Sequence, residues 1–180
     1  MTYPSWMFYP INSAPPEWVR ELTCAVEALA EKLDTESDTP TPMQSDAVLV
    51  ELRPILEASG YTVETGKKQV ERIRRPVLFG ENGLPRVSYE VDAFHDDLGI
   101  AVEVEAGRGA SNNADYRDIL RTSLLLDAKY LVLFMPKLYR HGSDKITKVR
   151  AYEKSRNQLD AIYASQRLRL PFDGLLLVGY

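Results

Sequence analysis

VSYEVDAFHDDLGIAVEVEAGRG, residues 87–109, places four carboxylates among residues that favour β-strands. These acids are Glu90, Asp92, Glu103 and Glu105. The turn-forming segment HDDLG divides the stretch into two halves, so we expect a β-hairpin. Like charges that face each other across a hairpin destabilise it by roughly 0.2–1 kcal/mol per pair. The crowding of acids therefore indicates a partner that offsets their repulsion.

The alternation of apolar and acidic residues predicts the register of this hairpin. We place Asp97 and Leu98 at the centre of the turn. The facing pairs are then His95 with Ile100, Ala93 with Val102, Asp92 with Glu103, Val91 with Val104, and Glu90 with Glu105. The apolar pairs share one face and the acids share the other. A slip by one residue would bury the carboxylates and expose the valines, so the pattern itself favours this pairing.

Three kinds of partner can offset four neighbouring carboxylates. They are a divalent cation, nearby arginines or lysines, and protons shared between acids with raised pKa values. Hard oxygen ligands without a matching His or Cys cluster favour Mg²⁺ or Mn²⁺ over zinc. His95 is predicted to lie on the opposite face and His141 in a loop, so we expect neither to be a ligand. The spacing favours a metal site over acids paired with arginine.

The rest of the sequence predicts an α/β domain with a mixed sheet and helices on both faces. The predicted elements are an amphipathic helix within 13–34, a linker over 35–45, a helix over 46–60, a strand at 61–65, the hairpin, a helix within 111–130, a buried strand at 130–136, a helix over 151–168 and a strand at 172–180. We therefore expect an N-terminal arm, helix and linker over residues 1–45 and a core domain over 46–180.

Composition and charge distribution limit the functional classes. The chain has 180 residues, 44% of them hydrophobic and 27% charged, which is typical of a globular domain with a sizeable core. The formal net charge of −4 does not by itself suggest a nucleic-acid binder. Residues 1–60 carry three basic and ten acidic side chains (net −7), and residues 61–180 carry nineteen and sixteen (net +3). Basic segments at 66–86 and 137–156 therefore offer a surface to an anionic partner.

The N-terminus and the cysteine content predict a cytoplasmic protein. The first ten residues, MTYPSWMFYP, lack a basic segment followed by an apolar stretch, and no run is long enough to span a bilayer. A single cysteine, Cys24, cannot form an internal disulfide. We expect Cys24 to pack in the core, because it lies among the apolar residues of a predicted helix.

Residues 46–136 resemble the core of the PD-(D/E)XK, or restriction-endonuclease-like, nucleases. That core is an α-β-β-β-α-β unit with an acid near the end of the second strand and (D/E)-x-K on the third. Asp92 matches the acid, and Glu103-Val104-Glu105 matches the third-strand motif. Glu105 departs from the pattern, because it stands where the family has lysine. The resemblance implies a restriction-endonuclease-like fold with a mixed sheet flanked by helices and an N-terminal helical extension.

The same resemblance implies a nuclease that uses Mg²⁺ or Mn²⁺ to hydrolyse phosphodiester bonds in DNA. Asp92 and Glu103 would hold the metal. Glu51 best matches a glutamate that often joins the metal shell from the first core helix, and Glu57 is second. Glu105 would accept a proton from the attacking water or help to hold a metal. The implied catalytic residues are thus Asp92, Glu103, Glu105 and Glu51.

Positively charged side chains of the basic segment at 66–86, and three arginines that follow the third-strand motif, are expected to bind DNA. They are Lys67, Lys68, Arg72, Arg74, Arg75, Arg108, Arg117 and Arg121. A double-strand cut by a chain of this size usually needs two active sites, so we expect a homodimer, with the N-terminal arm and its helix as a candidate interface. The biological context would be restriction, defence or DNA repair. An alternative is a regulatory protein that keeps the fold without catalysis and binds protein or nucleic acid.

Overall fold

The computed structural model describes residues 3–37, 43–106, 113–141, 147–165 and 167–180. The strands are β1 (Ser5–Tyr9), β2 (Thr62–Val63), β3 (Ile73–Phe79), β4 (Pro85–Val91), β5 (Ala93–His95), β6 (Ile100–Val104), β7 (Tyr130–Met135), β8 (Tyr139–His141), β9 (Thr147–Val149) and β10 (Gly174–Gly179). The α-helices are α1 (Glu17–Glu27), α2 (Ala30–Leu33), α3 (Ser45–Ala58), α4 (Ala114–Thr122) and α5 (Ala151–Ser165). None of these helices is long and apolar enough to cross a membrane.

A six-stranded mixed sheet in the order β1-β10-β7-β6-β5-β2 forms the centre of the protein. The three central strands, β10, β7 and β6, are parallel, and the outer strands run antiparallel to their neighbours. All six residues of β10 are buried, as expected for an apolar strand that is covered on both faces. Helices α1 and α3 pack on one face, and α4 and α5 pack on the other. The predicted fold class is confirmed.

The hairpin forms with the predicted register at its tip. Ala93 pairs with Val102, Phe94 with Ala101 and His95 with Ile100. The first strand does not continue unbroken, because β4 ends at Val91 and pairs instead with β3 in a separate two-stranded arm. Val91 consequently packs with Phe94 and Ala101, and not with Val102 and Val104 as the alternation predicts. The sheet thus divides at Asp92, which we call the fork: β4 leaves with β3 as a two-stranded arm, and β5 stays in the main sheet.

The N-terminal section is joined to the same sheet. Strand β1 pairs antiparallel with β10, from Ser5 opposite Gly179 to Tyr9 opposite Leu175. The predicted helix is divided into α1 and α2.

Cys24 is exposed, so the expectation that it packs in the core is wrong. The buried stripe of α1 contains Val19, Leu22 and Val26, and a residue two positions from Leu22 turns away from that stripe.

Gly99 closes the hairpin turn, and this position yields a stability prediction. Its φ is +66°, and a Cβ there would lie 2.7 Å from the backbone oxygen of Asp127. Gly83 has a similar φ of +70°, but a Cβ added there would meet no described atom within 4 Å. We expect Gly83→Ala to cost about 1–2 kcal/mol, from left-handed backbone strain alone. Gly99→Ala should cost more, and equal losses in urea unfolding would contradict this steric account.

Candidate functional site

A cavity of about 240 Å³ opens at the fork, beside the carboxyl end of β6. It is lined by Ser45, Glu64, Lys67, Arg72, Glu90, Val91, Asp92, Glu103, Val104, Glu105, Arg117, Asp118 and Arg121. Six of these side chains are carboxylic acids and four are basic. The cavity therefore concentrates acids that the lining arginines and lysine do not fully balance.

Asp92 lies at the fork itself and is held by the backbone of β6. The N–H of Val104 donates to Asp92 Oδ2 at 2.7 Å, and the N–H of Asp92 donates to the Val102 carbonyl at 3.2 Å. Burial raises the pKa of the Asp92 carboxyl to about 7, although the hydrogen bond from Val104 acts in the opposite direction. The negative charge of Glu64 raises this pKa further. Asp92 is thus fixed in place but poorly stabilised as an anion.

Glu103 faces the same cavity from β6 and is only 7% exposed. Its Oε1 atom is buried and has no hydrogen-bond partner among the described residues. Burial first, and then the neighbouring Asp92, raise the pKa of Glu103 well above its usual value. Buried polar atoms in native proteins are nearly always paired with protein, water or an ion. An unpaired carboxylate oxygen next to Asp92 therefore suits a cation or a proton shared between the two acids.

Glu105, which follows β6, is tied to the central sheet and to an arginine. Its N–H donates to the carbonyl of Phe134 at 3.0 Å, and its carbonyl accepts the Tyr180 hydroxyl at 2.8 Å. Arg117 Nη2 donates to Glu105 Oε1 at 2.9 Å. Burial raises the pKa of the Glu105 carboxyl to about 8, with a further contribution from the neighbouring Asp118. A carboxyl group near this pKa can hold a proton at neutral pH.

Two acids of the cavity, Glu64 and Asp118, are absent from the set that the sequence predicts. Glu64 follows β2, and its N–H donates to the carbonyl of Asp92 at 2.8 Å, which brings the two acids together. Burial is the main cause of the raised pKa of Glu64. Asp118 is 2% exposed on α4. The only sequence feature that could have identified Asp118 is its spacing to Asp115 and Thr122. Both are buried, so this spacing places Asp118 on the inner side of the helix.

Glu51 is not brought to the cavity. It forms an ion pair with Lys32 at 2.6 Å on the surface of α3. The first turn of α3 reaches the cavity through Ser45, but six further residues carry Glu51 about 9 Å along the helix axis. Glu57 is exposed and lies farther along the same helix. In this structure α3 thus brings neither Glu51 nor Glu57 to the cavity lining, and a role for either residue stays a prediction.

Four of the predicted DNA-binding residues line the cavity, namely Lys67, Arg72, Arg117 and Arg121. Arg72 is paired with Glu90 at 2.6 Å, and Lys67 is paired with the exposed Asp46 at 2.6 Å. Arg121 Nη2 donates to the carbonyl of Glu90 at 3.2 Å. These contacts place basic groups around the rim of an acidic centre.

The other four predicted DNA-binding residues do not line the cavity. Lys68 and Arg74 are exposed. Arg75 is engaged internally, because it pairs with Asp96 and lies 3.7 Å from the centre of the Phe94 ring. Arg108 lies outside the described residues. The expected basic surface is thus divided between the cavity rim, exposed positions and one internal contact.

The donor chemistry of the cavity fits a hard divalent cation. Within the described ranges, no three His, Cys, Asp or Glu side chains converge into a preformed metal site. Asp92 and Glu103 nevertheless provide neighbouring carboxylates, one of them with an unpaired buried oxygen. Oxygen donors of this kind suit Mg²⁺ or Mn²⁺, which usually bind one or two protein carboxylates together with water and phosphate.

Comparisons with known proteins identify the fold. No protein-family model matches the sequence, and no curated protein matches it. The restriction endonuclease BglII in complex with a DNA 16-mer superposes with a TM-score of 0.53 and 15% identity, over 99% of this chain and 76% of that chain. Free BglII gives a TM-score of 0.45 and 13% identity, over 99% and 79% of the two chains. The chain therefore has a restriction-endonuclease-like fold.

Proposed function

We propose that this protein is a nuclease that uses Mg²⁺ or Mn²⁺ to hydrolyse phosphodiester bonds in DNA. The observation that carries the proposal is the pair of Asp92 and the buried Glu103, whose Oε1 atom is unpaired, at the fork of the sheet. The fold adds support, because a structure that shares it is a restriction endonuclease bound to DNA. In this proposal the acids of the hairpin together bind a cation, and that cation contacts a phosphate group of the DNA.

Each residue of the cavity has a role in this proposal. Asp92 and Glu103 would hold the metal ion, which when bound supplies a Lewis acid for the phosphate and lowers the pKa of water. Glu105 would orient the attacking water and, in its ionised form, accept the water's proton. Glu64 would add negative charge beside Asp92 and strengthen the attraction for a cation.

The direct test is incubation of the purified protein with supercoiled plasmid DNA and Mg²⁺ or Mn²⁺. We expect nicked or linear product in the presence of either ion and none in EDTA. Cleavage that persists in EDTA would contradict a role for the metal. Failure to cleave duplex or single-stranded DNA with either ion would contradict the proposed activity.

The basic rim would bind the DNA backbone, and Lys67 allows a matched test. Lys67 lines the cavity, whereas its neighbour Lys68 is 83% exposed in its side chain and lies outside the lining. Each phosphate contact that is lost lowers the slope of log K against log salt by about 0.9. We expect Lys67→Gln to reduce this slope by about one and Lys68→Gln to leave it nearly unchanged, as measured by fluorescence anisotropy in Ca²⁺. Equal effects of the two changes would contradict the assignment.

We include a homodimer in the proposal, because cutting both strands of a duplex requires two cavities of this kind. Light scattering of the protein with a two-fold symmetric duplex should give the mass of two chains. A monomer that only nicks plasmid DNA would contradict the dimer and leave the hydrolytic chemistry in place.

A second candidate function is DNA or protein binding without catalysis. This function is favoured by the ion pair between Arg117 and Glu105. Glu105 stands where the nuclease family has lysine, and Arg117 neutralises its charge. Calorimetric titration with Mn²⁺ separates the two functions. Saturable uptake that is lost in Glu103→Gln supports the nuclease, and the absence of uptake supports the binding protein.

A further inference from the structure

Asp118 is a charged residue of the cavity with no role in the proposal so far. It is 2% exposed, less than either Glu103 or Glu105. Arg117 Nε donates to Asp118 Oδ1 at 2.9 Å, and Arg117 Nη2 approaches Asp118 Oδ2 at 3.3 Å. Burial of a carboxylate is unfavourable unless the charge is paired and hydrogen-bonded. The two-point contact with Arg117 supplies that pairing, and it also fixes the plane of the guanidinium group.

Arg117 connects this buried acid to Glu105. Its Nη2 atom donates to Glu105 Oε1 at 2.9 Å while the same guanidinium contacts Asp118. The Arg117 side chain is 59% exposed, whereas the side chains of Glu105 and Asp118 are 10% and 2% exposed. Arg117 is therefore the part of this cluster that a molecule in solvent can reach.

Without Asp118, the helix itself would not direct Arg117 toward Glu105. Consecutive residues of an α-helix point about 100° apart, so the long Arg117 side chain must turn back to contact its own neighbour. An arginine side chain also loses much rotamer freedom when it is held in one conformer, and a single exposed contact does not readily offset that loss. The contacts with Asp118 thus select the conformer that bridges the helix and the strand.

We infer that Asp118 is a positioning residue for the proposed hydrolysis, because it holds Arg117 where the guanidinium contacts Glu105 and faces a phosphate. This inference rests on the proposed function. The described contacts use Nε and Nη2 of Arg117, which leaves the N–H groups of Nη1 for a phosphate oxygen. Binding of the substrate would then place the scissile phosphate and the base Glu105 on the same guanidinium group.

Asp115 provides a matched control on the same helix. It is also an aspartate with 2% exposure, but it does not line the cavity. Its Oδ2 accepts a hydrogen bond from Ser155 Oγ at 2.8 Å, and its Oδ1 accepts one from the N–H of Tyr116 at 3.0 Å. Asp115→Asn therefore reports the cost of a buried amide in α4 without a change at Arg117.

The kinetic experiment compares Asp118→Asn, Arg117→Gln, the double variant and Asp115→Asn in Mg²⁺-dependent cleavage of a labelled duplex. We expect Asp118→Asn to lower kcat by about 10- to 100-fold with KM within about threefold, and Asp115→Asn to change neither by more than about threefold. The double variant should be no slower than Arg117→Gln. Independent, multiplying losses in the double variant would overturn the inference, because Asp118 would then act by another route.

A spectroscopic readout tests the positioning without any cleavage. Nitrogen-15 NMR of the arginine Nε–H groups should show a slowly exchanging Arg117 signal that is lost in Asp118→Asn and kept in Asp115→Asn. If Asp118→Asn does not fold, Arg117→Lys tests the same contact through a change at an exposed side chain. It should lower kcat to a similar extent. An Arg117 signal that is unchanged in Asp118→Asn would overturn the inference alone. A wild-type protein that cleaves no DNA would overturn the proposed function and this inference together.

Discussion

We expect Glu103→Gln to abolish the proposed metal-dependent DNA cleavage and at the same time to stabilise the metal-free protein. The loss of a carboxylate that is proposed to hold the metal should lower kcat by at least about 10²–10³-fold, the range found when one stabilising group of a transition state is removed. The gain arises because Glu103 is buried with an unpaired oxygen, so its charge destabilises the folded state. A buried polar group without a hydrogen-bond partner costs about 1–3 kcal/mol, and more when it is charged, so we expect removal of this charge to raise the free energy of unfolding at pH 8 by roughly 1–3 kcal/mol.

Cleavage assays and urea unfolding in EDTA measure the two effects on the same variant. Glu153→Gln is the control, because Glu153 lies on α5 with its side chain 48% exposed. Glu51→Gln adds a second comparison, since the family resemblance predicts a large loss and the ion pair with Lys32 outside the cavity predicts almost none. A Glu103→Gln protein that cleaves normally, or one that is less stable than wild type at pH 8, would contradict the assignment of Glu103.

The free energy of unfolding of the metal-free protein decreases as the pH rises from about 5 to about 8. The pKa of Asp92 is raised from 3.8 to about 7 in the folded protein, and that of Glu105 from 4.5 to about 8. Between these values the folded state binds more protons than the unfolded state, so stability falls with increasing pH. The stabilising contribution is complete below the unfolded pKa values and is lost as the pH passes through the folded ones.

Divalent ions should reverse this decrease. A cation that binds only the folded, ionised cavity stabilises it by mass action, and the effect should be largest at pH 8. Urea titrations at pH 5, 6.5 and 8 in EDTA, repeated with Mg²⁺ or Mn²⁺, measure both trends. The expected decrease in EDTA is on the order of several kcal/mol, because each pKa unit corresponds to about 1.4 kcal/mol. Stability that rises with pH in EDTA would show that the carboxylates are already compensated within the protein.

Local pattern was sufficient to predict the central part of the fold. The apolar runs of β7 and β10 and the periodicity of α3 and α5 each lie within one short segment, so no distant contact is needed to assign them. The tip of the hairpin was also predictable, because turn and alternation agree there. The break at Asp92 was not, because it depends on β3, a strand from a basic segment whose pairing with β4 the sequence pattern did not indicate.

The candidate site divides in the same way. Asp92, Glu103 and Glu105 line one cavity, and their proximity was predictable because a hairpin brings together residues that are close in sequence. Glu64 and Asp118 reach the cavity through the edge strand β2 and the helix α4, whose positions are set by tertiary packing. Glu51 lies outside the cavity lining, and its predicted role came from resemblance to a family position, which carries no information on how far along α3 the cavity reaches.

The hydrogen bond from Val104 N–H to Asp92 Oδ2 has a consequence for the evolutionary history of such a protein. Asparagine at position 92 keeps a side-chain oxygen for this bond, whereas alanine leaves the N–H of Val104 without it at the point where the sheet divides. A lineage under selection against cleavage therefore has a route to inactivity through asparagine that preserves the fold. If the chain cleaves DNA as proposed, descendants that lost this activity in this way would remain folded, and would be available for selection toward a different role.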